Sequence, residues 1–396
     1  MTALRYGQNI ALLAAAQALL LTNGVTLVAI NGLLGLQLAS DSRLATLPIT
    51  TYVIGAALAA LPAAMFMKQR GRRAGFMLGA GFGIGGALLS AWAVYAASFW
   101  LLCLGTILAG IYNAFGQQYR FAAVDAAPAD WTGKAISLTL AGGIVGGVIG
   151  PQVGTLTRDL LSQTYLASYA ALAAFAALAM LIASRLDIPP LPVHQQQAGG
   201  RPFGEIARQP AFIVAVLGAA LGYGVMNLLM AATPLAMQVC GLSFADTAWV
   251  LQWHVIGMFA PGFFTGSLIR RFGVLPVMGA GVLLNMLCVA IAVSGVSMTQ
   301  FETALFFLGV GWNFLFTGST TLALTAYRPE EKDRAQAAIN FCVFATMALT
   351  SFASGALVTT QGWTWLNLGS LVPLGITGVA LLWLAQRRTL AKASAA

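Results

Sequence analysis

The chain has 396 residues, of which 59% are hydrophobic and only 8% charged. A soluble domain is about a quarter charged, so this composition excludes a water-facing globular surface and places the chain in a bilayer. The net charge of +9 would suggest a nucleic-acid partner, but the basic residues gather in short loops on one side of long apolar runs, which excludes one.

A helix needs about 20 apolar residues to cross the hydrocarbon core. Such runs are predicted at 9–36, 44–67, 74–97, 99–124, 135–157 and 164–186. The first is too long for a signal-peptide core and reads as a retained helix. The one long polar segment, 187–209, contains PPLP, HQQQ and GG and reads as a flexible linker, with His194 a solvated residue in it. Six further runs follow at 210–238, 243–269, 274–296, 300–326, 336–358 and 364–386. The predicted fold is an all-α membrane protein with twelve transmembrane helices in two pseudo-symmetric halves, 1–186 and 210–396. Of the 20 Lys and Arg residues, only Arg43 and Arg158 fall on the side away from the termini. The positive-inside rule then puts both termini and the linker in the cytoplasm of a bacterial-type inner membrane.

All 11 acidic residues fall in loops or at helix ends, so no mid-membrane carboxylate is available for a proton relay. Cys103, Cys240, Cys288 and Cys342 show no paired spacing and no disulfide framework. No nucleophile–base–acid set is visible, so an enzyme is not expected. The polar groups left within the spans are amides, sulfur and His254. Met226 and Met230 stand at i, i+4 on the seventh helix, and His254 and Met258 at i, i+4 on the eighth. If the two helices face each other, Met226 and His254 share a depth near mid-membrane. Met230 and Met258 then lie about 6 Å to either side along the axis. Thioether and neutral imidazole suit Cu(I), so the four residues are metal-ligand candidates. The plainer alternatives are a core histidine bonded to a neighbouring helix, and Met as apolar filler.

Two halves joined by a polar linker, with MKQRGRR (67–73) after the second helix and GSLIRRFG (266–273) after the eighth, resemble the major facilitator superfamily and its repeated loop signature. Lys68 and Arg270 stand where that family usually has an acid, which removes the carboxylate from its loop-to-helix ion pairs. GGVIGPQVG (146–154) is similar to the family's Gly-Pro motif, and reads equally as a glycine face for tight packing with a Pro kink. The MxxxM and HxxxM pairs, together with GQQYRFAAVDAAP (116–128), resemble copper importers of the CcoA type, which supply copper for haem-copper oxidase assembly. That resemblance implies a monomeric copper importer with no resident cofactor, surrounded by membrane lipid and served by copper chaperones. It also implies a redox-active cysteine, for which Cys240 is the candidate. Alternating access would carry the ion, and a cation moving inward gains about 2.3 kcal/mol per 100 mV of inside-negative potential. Riboflavin importers lie in the same branch. The alternative is therefore import of a small organic solute, recognised by Asn31, Asn113, Gln117, Gln118, Asn227 or Asn313 and by Trp253 and Trp312.

Overall fold

The computed structural model describes residues 3–128, 131–188 and 200–393, so His194 lies outside the described residues. The N-terminal half holds α1 (Ala3–Leu38), α2 (Leu47–Arg70), α3 (Arg72–Tyr95), α4 (Phe99–Gly116, resuming as Tyr119–Ala126), α5 (Thr132–Thr157) and α6 (Leu166–Ser184). The C-terminal half holds α7 (Pro210–Val239), α8 (Phe244–Phe259, resuming as Gly262–Phe272), α9 (Val274–Ser294), α10 (Met298–Ala323), α11 (Lys332–Thr360) and α12 (Gly362–Ala393). Large apolar side chains such as Leu58, Trp100, Leu283 and Val379 are exposed on the outer surfaces, where lipid is their solvent.

The two halves repeat each other at the level of the backbone. Gly71, between α2 and α3, has φ 85° and ψ 162°, and Gly273, between α8 and α9, has φ 91° and ψ 160°. Side chains other than hydrogen do not tolerate this region, so the glycine in each copy of the loop signature is a steric requirement. The family's usual acid is absent from that loop, but an ion pair forms by another route: Arg72 Nε donates to Asp125 Oδ2 at the end of α4 at 2.9 Å.

Twelve continuous spans are expected from the sequence, and among the described residues eleven helical segments are long and apolar enough to cross a membrane. The twelfth, α8, is interrupted at Ala260 and Pro261. Proline has no N–H, so the ladder of α8 loses a donor there. That donor would have met the Gly257 carbonyl; Asn313 of α10 serves the next one, its Nδ2 donating to the Met258 carbonyl at 2.7 Å. Thr265 Oγ1 lies 2.7 Å from both Asn313 Oδ1 and the Pro261 carbonyl, and its single proton serves one of them at a time.

In α5 the glycines do face neighbouring helices. A Cβ on Gly142 or Gly146 would collide with the α1 carbonyls of Ala14 or Ala18. On another face, Gly147 sits against Val255 and Gly154 against Phe244, both on α8 of the opposite half. The described end of the linker is anchored, not free. Arg201 donates to Glu331, ahead of α11, from its backbone N at 2.8 Å, from Nε at 2.9 Å and from Nη2 at 2.8 Å.

Candidate functional site

Contacts between the halves concentrate at the end of the bundle away from the termini. Thr46 Oγ1, before α2, donates to the Ser351 carbonyl of α11 at 2.7 Å and accepts from Gly355 N at 3.0 Å. Gln152 Nε2 of α5 donates to Gln252 Oε1 of α8 at 3.1 Å. Leu27, Ile30 and Leu34 of α1 join Leu235, Phe244 and Leu251 in a single apolar cluster. At the rim, the Arg158 guanidinium lies 5.5 Å from the Phe244 ring centre and 5.7 Å from that of Tyr165. Near the termini the apolar clusters keep to one half each: Ile10, Met67, Phe76 and Tyr119 in the first, and Val214, Met278, Leu322 and Leu381 in the second. Among the described residues, the side-chain hydrogen bonds linking the halves all lie at the far end. The described contacts thus join the halves at the end away from the termini, while the clusters near the termini stay within one half each.

The C-terminal half carries an aromatic group packed on its apolar core. Trp312 and Phe316, one turn apart on α10, stack with ring centres 5.3 Å apart and planes 8° apart. Tyr223 of α7 stands edge-on to both, at 5.2 and 5.4 Å. The indole Nε1 of Trp312 is buried without a hydrogen-bond partner. The N-terminal half carries polar groups on α1, α2 and α4. Tyr52 lines a recess with Asn23, Tyr112 and Asn113. Gln117 is exposed and donates to Asn113 Oδ1 at 3.2 Å.

The candidate amides divide between two roles. Asn227 donates to the Met347 carbonyl at 3.0 Å, Asn313 bonds α8, Gln118 accepts from Arg72 at 3.2 Å, and Asn31 accepts from Tyr169. Those four tie helices together, whereas Asn113 and Gln117 bond each other along α4. Trp253 packs edge-on against Trp249 and Phe306, away from the aromatic trio.

Met226 and Met258 are buried in one apolar cluster inside the C-terminal half, and Met230 is partly buried between that cluster and the inter-half one. His254 is fully buried, and its Nδ1 lies 2.7 Å from the Leu305 carbonyl of α10. Helix α8 packs chiefly on α10 and α5, and touches α7 only lightly. A ladder between facing α7 and α8 therefore lacks the extensive contact it presumes. Cys240 is exposed, Cys103 and Cys288 are buried, and all four cysteines are free. Tyr52, Arg120, Tyr223 and Phe316 were not among the sequence candidates. The spacing of Asn113, Gln117 and Arg120 at i, i+4 and i+7 would have exposed the polar face of α4.

A bundle of long apolar helices in two halves is the architecture of a multi-pass membrane protein. The Major Facilitator Superfamily model matches residues 12–260 and 215–396, and the chain belongs to that family. It is 41% identical over 366 residues, 91% of each chain, to the riboflavin transporter RfnT of Brucella anthropi. It is 26% identical, over 91% of this chain and 87% of the relative, to an uncharacterised transporter, YddS, of Bacillus subtilis. Among solved structures, a bacterial homologue of the human lysosomal transporter Spinster superposes with TM-score 0.74 at 17% identity, covering 98% of both chains. The xylose transporter XylE of E. coli superposes at TM-score 0.70 and 16% identity, covering 96% of this chain and 99% of that one. Copper import, expected from Met226, Met230, His254 and Met258, is corrected by these relatives: the 41% identical one carries riboflavin. In the structure His254 is anchored through Nδ1 with Nε2 buried and unpartnered, and Met226 and Met258 lie inside an apolar cluster.

Proposed function

We propose that this protein imports riboflavin, or a flat heteroaromatic solute closely like it, across the inner membrane, with both termini cytoplasmic. The observation that carries the reading is 41% identity along nearly the whole length of a riboflavin transporter. The geometry supports it. A three-ring heteroaromatic solute is apolar on its faces and polar at its edges, and the chain carries both a stacked Trp312–Phe316 pair and amides on α4. The distribution of basic residues supports the orientation. In that orientation the end at which the halves are joined faces outward. The protein works as a monomer, since both halves lie within one chain.

The test is uptake of radiolabelled riboflavin and copper side by side, in cells that lack riboflavin uptake of their own. Saturable riboflavin uptake that depends on the expressed chain, with copper content unchanged, is the expected result. Absence of riboflavin uptake by a protein present in the membrane overturns the reading.

A further inference from the structure

Helix α12 packs on α9 through Gly378, where an added Cβ would meet Val282 Cγ1 at 3.8 Å. Another face of α12 carries Ile376, Val379 and Trp383, all exposed on the outer surface. Between them lie Ala380 and Gly375, where an added Cβ would meet nothing within 4 Å. Together these five residues line an apolar groove of about 530 Å³. The groove ends in a cation. Arg387 stands one turn beyond Trp383, and its guanidinium carbon lies 5.1 Å from the centre of the ring that lines the groove. Arg388 follows it and is exposed.

The turn that enters α9 brings a second basic pair to the same end. Val274 and Leu275, which follow Arg270, Arg271 and Gly273, pack with Ala380, Leu381 and Leu384 in one apolar cluster. Among the described residues, none of these four arginines has a carboxylate within ion-pair distance. The matching turn of the first half differs. There Arg72, just after Gly71, is paired with Asp125 at 2.9 Å, whereas Val274 holds that place after Gly273. An apolar trough running into a guanidinium at the end of a membrane helix matches an acyl chain running into a phosphate. A guanidinium holds phosphate oxygens through two parallel N–H donors, and the indole beside it suits the boundary between hydrocarbon and headgroup.

We infer that the groove on α12 is a binding site for an anionic phospholipid of the leaflet on the side of the termini. One acyl chain lies along Ile376, Val379 and Trp383, and the phosphate meets Arg387. A zwitterionic phospholipid carries the same phosphate, but the neighbouring arginines repel its cationic group, so the site prefers a headgroup of net negative charge. The site is separate from any site for the transported solute.

The test places the full chain in vesicles of dioleoyl phosphatidylcholine, with a rising fraction replaced by a phospholipid brominated on its acyl chains. Bromine quenches indole fluorescence on contact, and the share due to Trp383 is the difference from a Trp383→Phe counterpart. The brominated lipid is either phosphatidylglycerol or phosphatidylcholine. In the parent, half-maximal quenching of Trp383 should need a roughly fivefold smaller fraction of the phosphatidylglycerol. Arg387→Gln, measured against its own Trp383→Phe counterpart, should lose most of that preference. Arg185→Gln, at the end of α6 on the same side of the membrane, should keep it. Equal quenching by the two lipids in the parent overturns the site. A preference kept in Arg387→Gln overturns it by placing the phosphate elsewhere. A preference lost equally in Arg185→Gln overturns it too, as a property of the whole charged surface.

Discussion

At the scale of single residues, the most fully satisfied charge in the molecule is Glu331. Arg201 reaches both carboxylate oxygens, and Arg328 N donates to Oε2 at 2.9 Å. The Arg201 side chain above all, with the Arg328 backbone N–H, holds the Glu331 carboxyl well below the usual carboxylate range. A depressed folded pKa stabilises the fold above the unfolded value of about 4.3, and that stabilisation is lost as pH falls toward the folded value. Glu331→Gln should therefore lower the melting temperature in detergent at pH 7. The gap between parent and variant should narrow below about pH 4.3. An equal gap at pH 7 and pH 4 would place the effect in shape and not in charge. His254 is the contrasting case. Its Nδ1 meets the Leu305 carbonyl while its Nε2 is buried without a partner, so one short bond satisfies only half of the ring.

At the scale of elements, the split in α8 is the clearest case of one helix completing another. Asn313 of α10 donates to the carbonyl of Met258 and lies within bonding distance of Thr265, one residue group on either side of Pro261. Asn313→Leu should cost about 1–3 kcal/mol, the range for stranding a buried backbone acceptor. In a Thr265→Val background, where the hydroxyl beside Asn313 Oδ1 is already gone, the same substitution should cost less. Melting temperatures of the four proteins in this cycle provide the measurement. Additive losses would mean that Asn313 and Thr265 act independently.

At the scale of the whole molecule, transport requires the far-end contacts to open while those near the termini form. Phe244 is central to the joined end: its ring fills the space over Gly154, meets Tyr165 at 5.9 Å and lies under the Arg158 guanidinium. Phe244→Ala should therefore favour opening. In purified protein with Cys240 replaced by serine, a cysteine installed by Gln152→Cys should react several-fold faster with a polar thiol reagent when Phe244 is alanine. An unchanged rate would show that the ring does not hold the halves together.

The helical class, the two halves and the repeated loop were legible in the sequence because lipid imposes long apolar runs, and because Gly71 and Gly273 occupy a backbone region that excludes side chains. The glycine face of α5 was legible for the same reason: close approach leaves a compositional trace. The site was not. Spacing along α7 and α8 places Met226 with Met230 and His254 with Met258, but the rotation of each helix decides what those side chains meet. Packing of α8 against α10 turned His254 toward Leu305, and Met226 and Met258 joined the core. Tyr223, Trp312 and Phe316 come from two helices separated by up to 93 positions in the chain, from 223 to 316. Local sequence determined which segments enter the bilayer, since each apolar run partitions on its own composition. Only the tertiary structure decided which polar and aromatic groups come together, since that depends on how helices far apart in the chain pack.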